Sequence, residues 1–383
     1  MGRWPRAMEG VGMTHAFSGV FMGRRVLVTG HTGFKGSWLC QWLLDLGAQI
    51  HGIALAPATD PALFDVLNLK QRIDHRVLDI RDGAALRSAV AAIEPELVFH
   101  LAAQPLVRLS YREPAETWAT NVLGTVHLLE SIRACATVRA CVVVTSDKCY
   151  ENREQLWGYR ESDAMGGHDP YSSSKGATEL AVASWRRSFF HAPTSCRLAS
   201  ARAGNVIGGG DWATDRIVTD FVSAIRRGQP LTLRNPLATR PWQHVLEPLS
   251  GYLNLAAHLV RDDGQMFADG WNFGPAETSV VTVELLARAL AAEWGAGTVR
   301  VEQDPTRPHE AGLLKLDGSK AAARLGWRSI WDMPTTLRHT VAWYKTHADG
   351  ASSESLRALT HRQITEYSAE AARLGMPWAT LAA

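Results

Sequence analysis

Five residues in one stretch carry side chains suited to moving protons: Ser146, Asp147 and Lys148, then Tyr171 and Lys175. Tyr171 and Lys175 stand four apart in a segment with helical character, so they share one helix face. An ammonium beside a phenol favours the phenolate, which predicts a Tyr171 that ionises easily. A phenolate can take the proton of a substrate hydroxyl, as hydride removal from an alcohol requires. Ser146 can hydrogen-bond the same hydroxyl. Asp147 and Lys148 add two more ionisable groups, and an ion pair that only shapes the pocket is the plainer reading of them.

Those residues need a strand end and a helix start to hold them. The apolar run Cys141 to Val144 reads as a buried strand ending at Thr145, and a helix is expected over 171–190. Earlier, Arg25 to Thr29 is a short strand that runs into Gly30-His-Thr-Gly33-Phe-Lys-Gly36 and an apolar-periodic helix from Ser37 to Leu46. Strand, glycine turn and helix open a dinucleotide-binding fold, with glycines for close backbone approach and a helix N-terminus for a pyrophosphate. The spacing is G-x-x-G-x-x-G, which a tight β–α turn alone would also satisfy.

Further strands are expected at Gln49–Leu55, around Val77, at Glu96–His100 and at Cys196–Ala201, with helices between them at 84–93 and 114–134. This alternation predicts an α/β fold, a Rossmann-type doubly wound parallel sheet. The second strand ends in Ala54, Leu55 and Ala56, without the acid that holds a ribose or an arginine for a 2′-phosphate. His31 and Lys35 are the basic residues near it, and these residues leave NAD or NADP open. Asp79 is placed to reach an adenine amine, Asp82 to cap a helix, and small Ala102 and Ala103 to let a cofactor lie against the backbone.

Beyond Trp212 prolines punctuate shorter elements. We expect residues 22–205 to bind the dinucleotide and 206–350 to form mainly a smaller, irregular substrate lobe, with part of 240–275 returning to the first domain. Residues 1–21 read as an unstructured extension without the apolar core of a signal peptide, with Met8, Met13 and Met22 as possible starts, and 351–383 as a polar tail. Arg234, Arg240, Trp242 and His244 cluster within eleven residues, and Arg307, His309 and Glu310 form a second polar group; arginine forks suit a diphosphate.

The bulk composition excludes some classes. Forty basic against 38 acidic residues, a formal +2, give no reason to expect nucleic acid or an anionic membrane as partner. No apolar run approaches a membrane span. Five cysteines without C-x-x-C spacing suggest free thiols in a reducing cytoplasm and no metal site.

Together these strings resemble the extended short-chain dehydrogenase/reductases. From Arg24 to Tyr344 the chain resembles their CDP-glucose 4,6-dehydratase family, through Gly30–Trp38, His100–Arg108, Thr145–Tyr150, Ala203–Trp212 and Arg240–Pro248. The resemblance implies NAD as cofactor, CDP-glucose as substrate and CDP-4-dehydro-6-deoxy-glucose as product, for deoxysugar and O-antigen synthesis. It implies a catalytic set of Ser146, Asp147, Lys148, Tyr171 and Lys175, with Tyr171 as base at the C4 hydroxyl, Asp147 as acid at C6 and Lys148 as base at C5. Asp147 and Lys148 would then have to be protonated and neutral respectively, far from reference values of about 3.9 and 10.4. Implied cofactor contacts are Gly30, Thr32, Gly33, Phe34, Lys35, Gly36, Asp79, Ile80, Leu101, Ala102 and Ala103, besides Tyr171 and Lys175. Implied substrate contacts are Gln104, Asn205, Arg234, Arg240, His244 and His309. A homo-oligomer, dimer or tetramer, is also implied, with dimer contact through the helices at 114–134 and 171–190. A 4-epimerase would need Tyr171 but not Asp147 and Lys148, and a non-catalytic nucleotide-binding protein would need none of the five.

Overall fold

The computed structural model describes residues 13–192, 195–233, 235–302 and 312–380. Six strands follow in chain order: β1 (Arg25–Thr29), β2 (Gln49–Ala54), β3 (Asp74–Val77), β4 (Leu97–His100), β5 (Ala140–Val144) and β6 (Arg197–Ala203). With Gly270–Phe273 they build one seven-stranded sheet, ordered from that last strand through β6, β5, β4, β1 and β2 to β3. Every pairing in it is parallel. The strands are short apolar runs because both faces are covered by helices; β4 and β5 are buried at every residue. The order in which successive strands are added reverses between β1 and β4, where Thr29 sits beside His100. Ligands of open α/β sheets bind beyond the strand ends at such a reversal.

Local chemistry fixes the helix starts. Asp82 accepts from the N–H of Ala85 and caps Gly83–Ile93, as its position predicted. Asp169 caps Pro170–Ser188 through the N–H of Ser172, with Pro170 at the first helical turn. The long helix expected over 114–134 is three consecutive pieces, Pro114–Trp118, a π-helical turn Ala119–Leu123 and Gly124–Arg133. The π turn falls at Asn121. That side chain accepts from the N–H of Gln104 at 2.8 Å and donates to the Gln104 carbonyl at 3.2 Å and to Ser174 Oγ at 2.9 Å. It therefore ties the loop after β4 to the neighbouring helix.

The two ends of the chain depart from expectation. Residues 1–12 lie outside the described residues, but Phe17 and Phe21 are part of the core. Phe17 stacks on Trp378 with ring centroids 4.8 Å apart, and its N–H donates to the Trp378 carbonyl at 2.7 Å. The polar tail forms a helix, Ser353–Arg373, whose Ile364 and Tyr367 are buried against the Phe34–Asp45 helix side of the sheet. Tyr367 packs edge-on to both Trp42 and Trp331. Three segments far apart in sequence thus share one aromatic cluster, which hydrophobic periodicity within each segment does not reveal.

Glu247 anchors that cluster. It lies on the Leu246–Leu259 helix, buried along nearly its whole length, and accepts from the N–H groups of Ile330 and Trp331 and from the Tyr367 hydroxyl at 2.7 Å. Burial pushes its carboxyl up to about 7 despite those donors. A carboxyl whose folded pKa is raised stabilises the fold fully below its unfolded pKa of about 4.5 and loses that contribution as pH rises through 7. The difference is worth about 3 kcal/mol at 1.36 kcal/mol per unit. We predict that urea unfolding at pH 5 and pH 8 will show Glu247→Gln gaining on wild type by roughly this amount at the higher pH. A stability gap independent of pH would contradict it.

Candidate active site

The loop leaving β5 is held from below by a buried polar network. The N–H of Thr145 donates to the Ala201 carbonyl at 2.9 Å, and its hydroxyl donates to Glu179. Glu179 is one helical turn beyond Lys175 and pairs with Arg202 at 2.8 Å, both nearly inaccessible. Ser200 donates to the same carboxylate at 2.6 Å. Arg202 continues to the Tyr150 hydroxyl at 2.6 Å, and Tyr150 to Asn272 at 2.8 Å. Burial by itself would raise the Glu179 carboxyl; the Arg202 charge and the three donors overcome it and hold the group below its usual range. The network joins β5, β6, the Pro170–Ser188 helix and the last sheet strand beneath residues 145–150.

Above it, Ser146 caps the turn Asp147–Cys149. Its Oγ accepts from the Lys148 N–H at 3.2 Å and donates to Asp147 Oδ1 at 2.8 Å. Asp147 is buried, and its Oδ2 has no hydrogen-bond partner among the described residues. Gly204 makes this placement possible, because a Cβ there would meet Asp147 Oδ2 at 3.1 Å and Pro241 at 2.8 Å. Burial raises the Asp147 carboxyl, with Lys148, Ser146 and Arg240 acting against it. Lys148 is half-buried on the same turn.

Tyr171 and Lys175 do share a helix face, both buried, but their electrostatics differ from expectation. Burial pushes the Tyr171 phenol up to about 12, opposed by a hydrogen bond with Ser146 and by the charge of Arg216. Burial likewise lowers Lys175 to about 8, with Glu179 pulling it back up; its Nζ lies 3.5 Å from the Val144 carbonyl. Spacing told which residues would meet. It could not tell that desolvation would outweigh the neighbouring ammonium.

The glycine turn has the geometry of a dinucleotide cradle. Gly30 has φ +74°, and a Cβ there would lie 2.6 Å from the Ala102 N. A Cβ on Gly36 would meet the Gly30 carbonyl oxygen at 2.2 Å, so the helix packs against the turn. Gly33 is the N-cap and no side chain caps the helix, which leaves that N-terminus to an anion. The N–H groups of Leu101 and Ala102 bond Thr29, at 3.1 Å to its carbonyl and 3.3 Å to its hydroxyl. Thr32 donates to the Leu55 carbonyl at 3.0 Å, which ties the turn to the end of β2. Ile80 is buried against Gly124, and Phe34 packs on the core. The residues present fit a dinucleotide here. Asp79 is grasped by Arg81, whose Nε is 2.9 Å from Oδ2. His31 is buried, bonds His75 at 2.7 Å and is lowered to about 4, so it is neutral and no partner for a phosphate.

Lys35 does something the sequence did not suggest. Burial lowers it to about 8, and the charges that act on it are Arg216, Asp147 and Lys175, so it belongs to the acid–base cluster. Its Nζ lies over the Tyr252 ring, 6.0 Å from the centroid.

A cavity adjoins this cluster. Asn205, Arg240, Arg216, Arg108 and the strand Leu231–Leu233 line it. Arg108 pairs with Asp215 at 3.3 Å. Arg240 donates to the Thr239 carbonyl at 3.0 Å and its charge reaches Asp147. One expected substrate contact, His244, is corrected. His244 is fully buried between Trp38 and Trp331, so it is a core residue. The Gln104 amide serves its own loop, donating to Leu106 and Thr117 and accepting from the Leu106 N–H. Arg234, Arg307, His309 and Glu310 lie outside the described residues. Arg216 went unnoticed because nothing local marks a lone loop arginine.

The GDP-mannose 4,6 dehydratase family profile matches residues 27–340. The chain belongs to this family. A CDP-glucose 4,6-dehydratase of Salmonella typhimurium is 48% identical over 351 residues, 91% of this chain and 97% of that protein. A dTDP-glucose 4,6-dehydratase of Neisseria meningitidis is 26% identical over 340 residues, 84% of this chain and 93% of its own. Among solved structures, the Thermus thermophilus UDP-glucose 4-epimerase complexed with NAD superposes with TM-score 0.72 at 26% identity, over 84% of this chain and 99% of that one. Both dehydratase relatives share nearly their whole length with this enzyme.

Removing one partner of a buried ion pair strands the other charge, at a cost of about 3–5 kcal/mol. We predict that loss for Glu179→Ala by chemical denaturation, with reduced activity per folded molecule because the Thr145 anchor goes too. A variant as stable and active as wild type would show that the network does not position the site.

Proposed function

We propose that this enzyme dehydrates CDP-D-glucose to CDP-4-dehydro-6-deoxy-D-glucose, with NAD as its cofactor. The observation that carries the reading is the near full-length, 48% identical CDP-glucose 4,6-dehydratase. The Asp147–Lys148 turn beside Tyr171 supports it, since elimination needs an acid and a base that epimerisation does not. When bound, NAD would supply the hydride acceptor for C4 and the hydride donor for C6. Gly30, Gly33 and Gly36 would cradle it.

In this reading Tyr171 takes the C4 hydroxyl proton, and Lys175 and Ser146 hold that hydroxyl and the ring carrying the reaction. The resulting ketone acidifies C5. Lys148 removes the C5 proton, and Asp147, whose carboxyl burial raises, gives a proton to the departing C6 hydroxyl. Asn205, Arg216 and Arg240 hold the nucleoside diphosphate in the second-lobe cavity. Exposed Trp118, Leu123 and Leu180 on the helices around 114–133 and 170–188 suit a homodimer contact. The five cysteines are free thiols, as in a reducing cytoplasm, where the product would feed deoxysugar synthesis for surface polysaccharide.

Incubation with CDP-, UDP-, TDP- and GDP-glucose tests the assignment. We expect the 4-keto-6-deoxy product, seen by its near-ultraviolet absorption in alkali, from CDP-glucose at a rate at least about tenfold above the others, some 1.4 kcal/mol of discrimination. An epimer instead of that product would sink the dehydratase reading. For Lys148, we predict that Lys148→Met still oxidises C4 and accumulates NADH with a 4-keto hexose, yet no longer exchanges the C5 hydrogen with heavy water. Exchange at the wild-type rate would assign the base elsewhere and leave Lys148 as the partner of Asp147.

A further inference from the structure

Among the described residues, three arginines and three acids line the cavity beside the acid–base cluster: Arg108, Arg216 and Arg240, and Asp211, Asp215 and Asp220. The arginines suit a diphosphate, because a guanidinium fork bonds phosphate oxygens in pairs. The acids do not, since each repels an arriving polyanion. Two of them already stand against the arginines. Asp215 Oδ1 lies 3.3 Å from Arg108 Nη1, and Asp211 Oδ2 lies 3.9 Å from Arg216 Nε. A diphosphate entering here must take an arginine from its carboxylate.

The two acids are held very differently. Asp211 is fixed: its side chain is 15% exposed, and its Oδ1 accepts from the Ala213 N–H at 3.0 Å. Its carbonyl accepts from Thr219 Oγ1 at 2.7 Å and from the Tyr344 hydroxyl at 2.5 Å. The next residue, Trp212, packs edge-on to Trp343 and Tyr344. Asp215 instead shares the exposed tip of the turn with Thr214. Its φ is +60°, a left-handed backbone that Asp and Asn adopt more readily than other residues with a Cβ. Its pair with Arg108 is open to water on both sides, 34% and 44% exposed, and such pairs contribute little and exchange easily. We propose that Asp215 is a gate: its carboxylate competes with the substrate's diphosphate for Arg108, and the diphosphate displaces it. This deepens, and rests on, the reading of this cavity as the nucleoside-diphosphate site.

The exchange is one of ion pairs, with no covalent bond made or broken. Arg108 leaves Asp215 for a phosphate oxygen, and the carboxylate turns to water at the tip of the turn. Binding of the diphosphate is weakened by the strength of the pair it breaks. In return, an anion too weak to displace the carboxylate finds Arg108 occupied, so the gate discriminates by charge. Arg216 follows Asp215 directly, and its charge bears on Tyr171. The turn that gives way therefore also carries a member of the acid–base cluster.

Titration calorimetry of the NAD-loaded enzyme with CDP and with cytidine tests this, on wild type, Asp215→Asn, Arg108→Ala and the double variant. Asparagine keeps the size and the left-handed backbone and removes the charge. We expect Asp215→Asn to bind CDP about fivefold tighter, the upper range for releasing a part-exposed ion pair, with cytidine affinity unchanged. Arg108→Ala should weaken CDP binding by at least about tenfold. In that background Asp215→Asn should gain less than about twofold, because the carboxylate has nothing left to compete for. An equal gain in both backgrounds would make Asp215 a through-space repeller and overturn the gate. So would an Arg108→Ala variant that binds CDP as wild type does. A crystal structure of wild type with CDP reads the same exchange without a substitution, should the arginine variant fail to fold. Arg108 should then stand within hydrogen-bond distance of a phosphate oxygen, with Asp215 away from it; an intact Arg108–Asp215 pair beside bound CDP would overturn the gate. If wild type binds no CDP, the reading of the cavity fails and the gate with it, whereas losing the Asp215 effect alone leaves that reading standing.

Discussion

A carboxylate and a guanidinium buried against each other, Glu179 and Arg202, are what the site rests on. Neither charge is tolerable there alone, so each fixes where the other must be. Glu179 belongs to the helix that carries Tyr171 and Lys175, and Arg202 to the strand beside the one that delivers Ser146 and Asp147. Through Thr145, Ser200 and Tyr150 the pair locks two elements that must meet at ångström precision. The geometry of the catalytic residues is inherited from that lock, as the rigid support that proton transfer needs.

Burial then does the tuning. The same desolvation that would expel a lone charge lowers the lysines at 35 and 175 to about 8 and raises Asp147 and Tyr171. These directions favour a protonated carboxyl at Asp147 and neutral amines at Lys35 and Lys175. Tyr171 is the exception, because burial opposes its role as a base. Arg216 and Ser146 work against that burial, which makes these two residues more important than spacing along the chain would suggest.

What the sequence disclosed follows from range. The Arg25–Thr29 strand, the glycine turn and the Asp169-Pro170-Tyr171 helix start are each encoded within a few residues, and each appears where expected. Glu179 was within reach of the same reasoning, four residues past Lys175 on its face, and a buried acid there asks for a partner. Phe17, Tyr367 and Trp378 were not, since their packing joins segments more than 300 residues apart. His244 was misplaced for the opposite reason: a polar side chain in a motif suggests a ligand, and only its neighbours show that it fills the core.

The account stands on one claim, that a single buried site oxidises C4, eliminates across C5 and C6 and completes the reduction without releasing an intermediate. CDP-glucose carrying deuterium at C4 tests it most directly, with the product examined by NMR and mass spectrometry. The account predicts that the deuterium appears at C6 of the same sugar, even with a large excess of free unlabelled NADH present. Product without deuterium at C6, with the label in the free cofactor pool, would contradict it.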